Sequence, residues 1–459
     1  MKTVDLSALL DDGEWGGYQK ALVAAAALAI VFDGLDNQVL SGALPAMMRE
    51  WNVPRSALTP ALTSGFVGMM FGGFFGGVVG DKLGRRVALL GSLISFGVLT
   101  LMVPLATGPF ALSVLRFMAG LGLGAAMPNA ATLSSEYVPV RHRPFAVTLT
   151  IVCIPLGGSL AGFIGGQILP RFGWRVLFVV CGLLPLLLAA VLLKALPESP
   201  RFLARHKERW PQLVALLRRL GHSVSDDASF VDASEKPSAV ADASVATLFT
   251  SEYLRDTLTL FGSFFFCLLT VYMGTNWVPT MLVGNGFNVG TASYGLTAFN
   301  VGGVIGAILG AMSIMRLGSR ISMLTMAAGA VAGAAVLSVM PIGPQNTFQV
   351  FAMLGWTGGL INAVQTTMYA LAAHVYPTSI RATGVGTAVG FGRIGGVLSP
   401  SVGQMALDSG GASGYFRMIA MTMTVAFVAL AGVARHIPRA ARARAAAFDS
   451  SKLKVQSVK

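Results

Sequence analysis

Four charged side chains sit inside otherwise apolar stretches: Asp33 and Asp36 in VFDGLDNQVL, Arg116 in VLRFMAGLGLG, and Arg393 in AVGFGRIGGVL. A charge near a bilayer centre costs about 2.5–3.5 kcal/mol on insertion scales, so intramembrane charges mark function by default. The two carboxylates are candidate proton carriers. They lie three apart and share a helical face with Asn37. Two like charges in low dielectric repel, which poises one of them to take up and release a proton. The plainer alternative is that both pair with arginines and hold helices together. Arg393 has no acid in the spans of its own half to neutralise it. An open guanidinium holds a carboxylate through two parallel hydrogen bonds. Gly390, Gly392, Gly395 and Gly396 around it leave room for close approach. Contact with backbone carbonyls or an aromatic face is the alternative.

The elements that carry these residues are membrane spans. The chain has 459 residues, 54% hydrophobic and only 12% charged, against about 25% charged in a soluble protein. Runs long enough to cross a bilayer recur twelve times, at 19–43, 57–80, 87–107, 109–134, 144–168, 175–196, 257–283, 292–314, 321–341, 347–373, 382–406 and 415–436. With the N-terminus in the cytoplasm, only Arg49, Arg55, Arg171, Arg175 and Arg417 of the 33 Lys and Arg fall outside. Arg116 and Arg393 are within spans, and the other 26 are inside. This bias accounts for the net charge of +13 without nucleic acid, and places the basic run HIPRAARARAAA beside anionic lipid. The first apolar run is too long for a signal-peptide core and reads as a retained helix. Cys153, Cys181 and Cys267 fall within spans and form neither a disulfide framework nor a metal site.

The chain is duplicated. LTSGFVGMMFGGFFGGVVGDKLGRR (62–86) aligns with LTAFNVGGVIGAILGAMSIMRLGSR (296–320) at an offset of 234. Pro139, Arg143, Gly157 and Gly158 align with Pro377, Arg381, Gly395 and Gly396 at an offset of 238. The expected organisation is all-α, with twelve transmembrane helices in two six-helix pseudo-repeats at 1–196 and 257–436. Between them is a polar cytoplasmic linker at 197–256, whose stretch SVSDDASFVDASEKPSAVADAS (223–244) is rich in Ser, Ala and Asp and reads as flexible, and a basic cytoplasmic tail follows at 437–459. Two such halves with a site near the midplane are a transporter architecture.

The chain at this point resembles the major facilitator superfamily. GVVGDKLGRR (77–86) matches that family's loop motif G-x-x-x-D-[RK]-x-G-R-[RK], RFMAGLGLG its fourth-helix motif, and LPESPRFL (196–203) the end of its sixth helix. DGLD, GLGLGAAMPNAATLSSEY, NWVPTML and YPTSIRATGVGTAVGFGRIG narrow the likeness to the aromatic acid:proton symporter family. The resemblance implies a functional role for Asp33 and Asp36 and links the fourth-helix motif to proton coupling. Arg116, in the same half, is assigned to that acid pair. It also implies that Gly77, Asp81, Lys82, Gly84, Arg85 and Arg86 form a cytoplasmic gate latched by Asp81, with Met315 replacing the acid in the second half. Helix N-termini or an Arg across the half-to-half seam are the partners expected for Asp81.

Polar and aromatic residues could complete a substrate site around Arg393. Tyr272 and Asn276 are four apart in the seventh span, with Trp277 beside them. Asn362, Gln365 and Tyr369 share a face of the tenth, His374 lies at its inner end, and Asn300 and Asn129 lie in the eighth and fourth. Buried amides need partners, and a hydroxylated aromatic acid supplies them; Tyr or Trp would hold its ring by offset stacking. Interhelical bonding or core packing is the alternative for each. Glu136 is a second candidate acid, whereas Glu198 and Arg201 read as structural, with Ser199 as an N-cap ahead of Pro200.

The leading reading is a proton-coupled importer of a benzoate-like or hydroxybenzoate-like carboxylate, working by alternating access in a bacterial inner membrane, with both termini cytoplasmic. It is monomeric and carries no cofactor or metal. No GxxxxGK[ST] loop supports ATP drive. The rivals are an exporter or antiporter, a carrier of another small organic anion, a sugar or niacin-type carrier, and a transporter that doubles as a ligand sensor. IPLGGSLAGFIGG is only loosely similar to an exporter signature, because no Gly precedes Pro155. An enzyme is disfavoured, since neither metal-ligand spacing nor a Ser/His/Asp arrangement stands out.

Overall fold

A computed structural model describes residues 3–439 apart from 12, 14, 227, 232–244 and 378; most of the expected basic tail lies outside the described residues. The long helices are α2 (Gly17–Trp51), α3 (Arg55–Leu83), α4 (Arg85–Met102), α5 (Pro109–Tyr137) and α6 (Arg143–Ala195), then α9 (Leu254–Gly284), α10 (Val289–Leu317), α11 (Ser319–Val339), α12 (Thr347–Val375) and α13 (Arg381–Gly432). Among the described residues nine helices are long and apolar enough to cross a membrane. Two of them, α6 and α13, are each a pair of helices joined through a non-helical glycine, Gly173 and Gly411. With α12 this fits the twelve expected spans.

The duplication fixes where helices break. Gly84 separates α3 from α4 with φ 109°, and Gly318 separates α10 from α11 with φ 81°; these are the aligned positions of the first block. Gly173 (φ 76°) and Gly411 (φ 56°) are 238 apart, the offset of the second block. Left-handed backbone penalises a Cβ, which is why glycine stands at all four.

The same offsets govern packing. On α3, Gly68, Gly72 and Gly76 lie against Phe117, Leu121 and Ala125 of α5. On α10, Gly302, Gly306 and Gly310 lie against Gly355, Gly359 and Ala363 of α12, each partner 238 residues on. A Cβ at Gly72 would stand 2.7 Å from the Leu121 carbonyl carbon, and one at Gly306 2.5 Å from that of Gly359. Glycine stripes of this kind let backbones touch where lipid supplies no hydrophobic drive between helices. A third contact repeats too. Gly157 of α6 rests on Val31 and Leu35 of α2, and Gly395 of α13 on Phe265 and Leu269 of α9.

The stretch read as flexible, 223–244, lies mostly outside the described residues, and the linker before it is structured. α7 (Pro200–Arg205) and α8 (Trp210–Arg219) form there, and β2 (Ser229–Val231), inside that stretch, pairs in parallel with β1 (Thr3–Asp5), which leads into α1 (Leu6–Asp11). Leu213, Leu217 and Phe230 are buried with Leu6 and Leu10 in a cluster continuous with Leu89, Leu133 and Leu192. Composition hid this, because the apolar partner of α8 lies some two hundred residues away at the N-terminus. Ser199 caps α7 by accepting the Phe202 N–H at 3.1 Å, with Pro200 in the first turn.

By contact the chain divides into two compact units, Met1–Ala239 with Val278–Thr297, and Val240–Trp277 with Ala298–Lys459. The first takes in 278–297 because α6 is bare on the side that meets α10. A Cβ at Gly162 would stand 2.5 Å from the Thr297 hydroxyl, and one at Gly166 2.6 Å from Tyr294 Cζ. The Gln167 amide donates to Tyr294 at 2.6 Å.

Candidate functional site

In the first unit the buried charges meet. Asp36, fully buried on α2, accepts from Arg116 Nη1 of α5 at 3.1 Å. Arg116 Nη2 donates to the Asp36 main-chain carbonyl at 3.2 Å, and the Thr100 hydroxyl of α4 donates to Oδ1. Three helices thus converge on one carboxylate. Arg116 is 4% exposed and Thr100 not at all. Two ions taken out of water persist only with such geometry, and breaking one partner costs about 3–5 kcal/mol. Asp33, one turn earlier, is also buried. Thr100 was not foreseen, because a lone Thr in LISFGVLTLM carries no sequence signal.

Among the described residues the second unit has no counterpart at the equivalent place. The repeated Gly157 and Gly395 contacts equate Val31 with Phe265 and Leu35 with Leu269. Continued along α9, the correspondence puts Cys267 at the place of Asp33 and Thr270 at that of Asp36. Thr270 donates to Thr422 at 2.8 Å, a neutral bond in place of an ion pair. The unit carries Arg393 instead, half-buried on α13 and within electrostatic reach of Tyr369 on α12. The Tyr369 ring meets Phe264 of α9 edge-on at 5.5 Å. Gln365, one turn before Tyr369, is half-buried and makes no hydrogen bond among the described residues. A cation, a phenol, an amide and an aromatic edge can together hold an aromatic carboxylate.

Other residues expected in that site are committed to helix packing. The Trp277 ring is fully buried, with its N–H donated to the Pro400 carbonyl at 3.0 Å and its edge against Gly403. Asn276 donates to Ser399 at 3.2 Å, and Asn362 to Gly358 of its own helix at 2.9 Å. Tyr272 is half-buried, Asn300 is buried, and His374 is exposed at the end of α12. Gly392 and Gly395 do not leave room for a ligand. Their open faces are filled by Phe264 and Phe265 of α9, whereas Gly390 faces open space. Asn129 donates to Gly76 at 2.9 Å and Ala125 at 2.8 Å, tying α5 to α3.

The motif at 77–86 is bound to LPESPRFL rather than standing alone. Glu198 accepts the Arg86 N–H at 3.0 Å and the Ser199 N–H at 2.8 Å, and its carboxylate fills the space beside Gly84. Arg86 Nη2 reaches the Leu193 carbonyl at 2.5 Å, and Ser199 donates its hydroxyl to Glu136. Asp81 pairs with Arg85, four residues on, at 2.5 Å, not with the helix terminus or distant Arg expected from the sequence. It is 65% exposed, so the pair contributes at most about 1 kcal/mol. Lys82 is exposed, and Gly77 has nothing near its missing Cβ.

Residues 26–400 match the pattern of the Major Facilitator Superfamily. A gallate transporter of Pseudomonas putida is 32% identical over 408 residues, covering 89% of this chain and 90% of the relative. The 4-hydroxybenzoate transporter PcaK of Pseudomonas aeruginosa is 34% identical over 415 residues, covering 89% and 91%. Among solved structures, the partially occluded inward-open xylose transporter XylE of E. coli superposes with a TM-score of 0.69 at 18% identity, covering 90% of this chain and 97% of that one.

Proposed function

The chain belongs to the Major Facilitator Superfamily as an integral, multi-pass membrane protein and not an enzyme, and on that premise we propose that it is a proton-coupled symporter importing an aromatic carboxylate by alternating access. The observation that carries the coupling is the buried Asp36–Arg116 pair with Thr100 at its side. Protonation of Asp36 removes the Coulomb attraction to Arg116 while leaving Thr100 and the main-chain carbonyl as contacts. The loaded and empty states of the carboxylate therefore favour different spacings of α2, α4 and α5. Asp33, one turn away, is the second proton acceptor.

Arg393 holds the substrate carboxylate, and Tyr369, Gln365 and the Phe264 edge hold its ring and ring substituents. Tyr272, Asn276, Asn362 and His374 then act at one remove, and Trp277 fixes α9 against α13. The names of the gallate and 4-hydroxybenzoate relatives support this substrate class. The turn at Gly84 within 77–86, clasped by Glu198, gates the cytoplasmic end. The protein works as a monomer in a bacterial inner membrane, with both termini inside.

Uptake of radiolabelled 4-hydroxybenzoate and gallate into proteoliposomes tests the reading. An inward proton gradient should drive accumulation, and a protonophore should abolish it. Accumulation that survives collapse of every ion gradient, or that follows sodium alone, would refute proton symport.

A further inference from the structure

Outside the transport machinery, one basic cavity stands at the membrane-boundary end of the second unit. The chain leaving α13 folds back on the turn between α10 and α11. The Ser319 N–H donates to the Ile437 carbonyl at 3.0 Å, the Ile437 N–H donates to the Ser319 hydroxyl at 2.8 Å, and Arg439 Nε donates to the Leu317 carbonyl at 3.3 Å. Gly318 makes this docking possible. It holds φ 81°, and a Cβ there would stand 2.9 Å from the Ile437 oxygen. The return encloses about 400 Å³ lined by Gly318, Arg320, Ile321, His436 and Arg439 among others, with no acidic residue in the lining.

The charges are unbalanced in a specific way. The acids nearby are already engaged: Asp256 accepts the Ala434 N–H at 2.6 Å and sits 3.8 Å from Arg435, and Glu252 sits 3.3 Å from Arg435. Arg320 and Arg439, by contrast, form no ion pair among the described residues. His436 lines the cavity as well, its Nδ1 3.1 Å from the Ser319 hydroxyl. Burial, and then the Arg320 charge, push the imidazole below its usual range. The N-terminal turn of α11 opens on the same space and adds its dipole.

We infer that this cavity is a binding site for a phosphate group, held by Arg320 and Arg439 with His436 beside them. The phosphate is supplied either by an anionic phospholipid headgroup or by free phosphate. Two exposed guanidiniums without acids, on the wall of one cavity beside a helix start, suit an anion with several acceptor oxygens. A pocket at the end of membrane helices is where a lipid headgroup arrives.

The test uses the full-length protein purified in neutral detergent, with thermal unfolding followed by intrinsic fluorescence. The titrants are dioctanoyl phosphatidylglycerol, dioctanoyl phosphatidylcholine and sodium phosphate. Phosphatidylglycerol should raise Tm saturably. A rise with phosphatidylglycerol but not with phosphate identifies the headgroup, whereas an equal rise with phosphate identifies the free anion. Arg320→Gln breaks no hydrogen bond among the described residues, so its unliganded Tm should match wild type while its apparent affinity falls about tenfold. Arg439→Gln should weaken binding likewise, Arg320→Lys should retain most of it, and Arg435→Gln should respond as wild type. No saturable rise with either anion, an equal rise with phosphatidylcholine, or an unchanged response in Arg320→Gln would overturn the assignment.

Discussion

Removing Arg116 is the sharpest perturbation available, because the structure leaves Asp36 little else. The Asp36 carboxylate is wholly buried and has two side-chain partners among the described residues, Arg116 Nη1 at 3.1 Å and the Thr100 hydroxyl. Arg116→Ala strands that carboxylate with one neutral donor, and truncating one partner of a buried pair costs about 3–5 kcal/mol. Asp36→Asn strands the guanidinium instead, with only the Asp36 carbonyl at 3.2 Å in hand, and should cost a similar amount. The double variant leaves neither charge buried. Its loss should be far less than the sum, with a coupling of about 2–3 kcal/mol within the range for residues in direct contact. Reversible denaturation in mixed micelles, with the four proteins compared at one pH, reads that coupling directly. Additive losses, or a single-variant cost below about 1 kcal/mol, would show that water or another group already compensates Asp36. The pair could not then be the element through which a proton shifts helix spacing.

Asp33→Asn and Asp36→Asn should each abolish proton-driven accumulation in proteoliposomes, with at least one still binding the aromatic acid; normal accumulation in both would make these carboxylates structural. Arg393→Lys keeps the charge but loses the planar fork, so calorimetry should show most affinity gone, and Arg393→Ala should be worse and not be rescued by a steeper proton gradient. Wild-type affinity in Arg393→Ala would place the substrate carboxylate elsewhere, with Arg116 the next position to examine. Trp277→Phe should lose about 1 kcal/mol of stability with the bond to Pro400 and leave substrate affinity unchanged; a tenfold affinity loss at unchanged stability would return the indole to the ligand site. Gly72→Val and Gly306→Val should each cost about 1–3 kcal/mol by overpacking at equivalent contacts, and a lowered unfolding temperature in only one would break the packing equivalence of the two repeats.

Much of this protein was legible in the chain because the signals are local. Apolar runs give spans, since every backbone polar group in lipid must be satisfied within a helix. Glycine spacing exposed the repeat, and the two offsets, 234 and 238, reappear in which glycines break helices and which backbones touch. Four charges within apolar runs announced themselves by their cost. What the chain could not decide was rotation and partner. Spacing places Asp33 and Asp36 on one face, but only the crossing of α2, α4 and α5 directs Arg116 and Thr100 to Asp36. Gly392 and Gly395 looked like space beside Arg393 until α9 was found to fill it. Trp277 looked available until its N–H met Pro400. The docking of 213–230 was not legible because its apolar partners, Leu6 and Leu10, are distant in sequence and close only in the fold. Local patterning determines which residues must avoid water, and tertiary packing determines what each meets when it does.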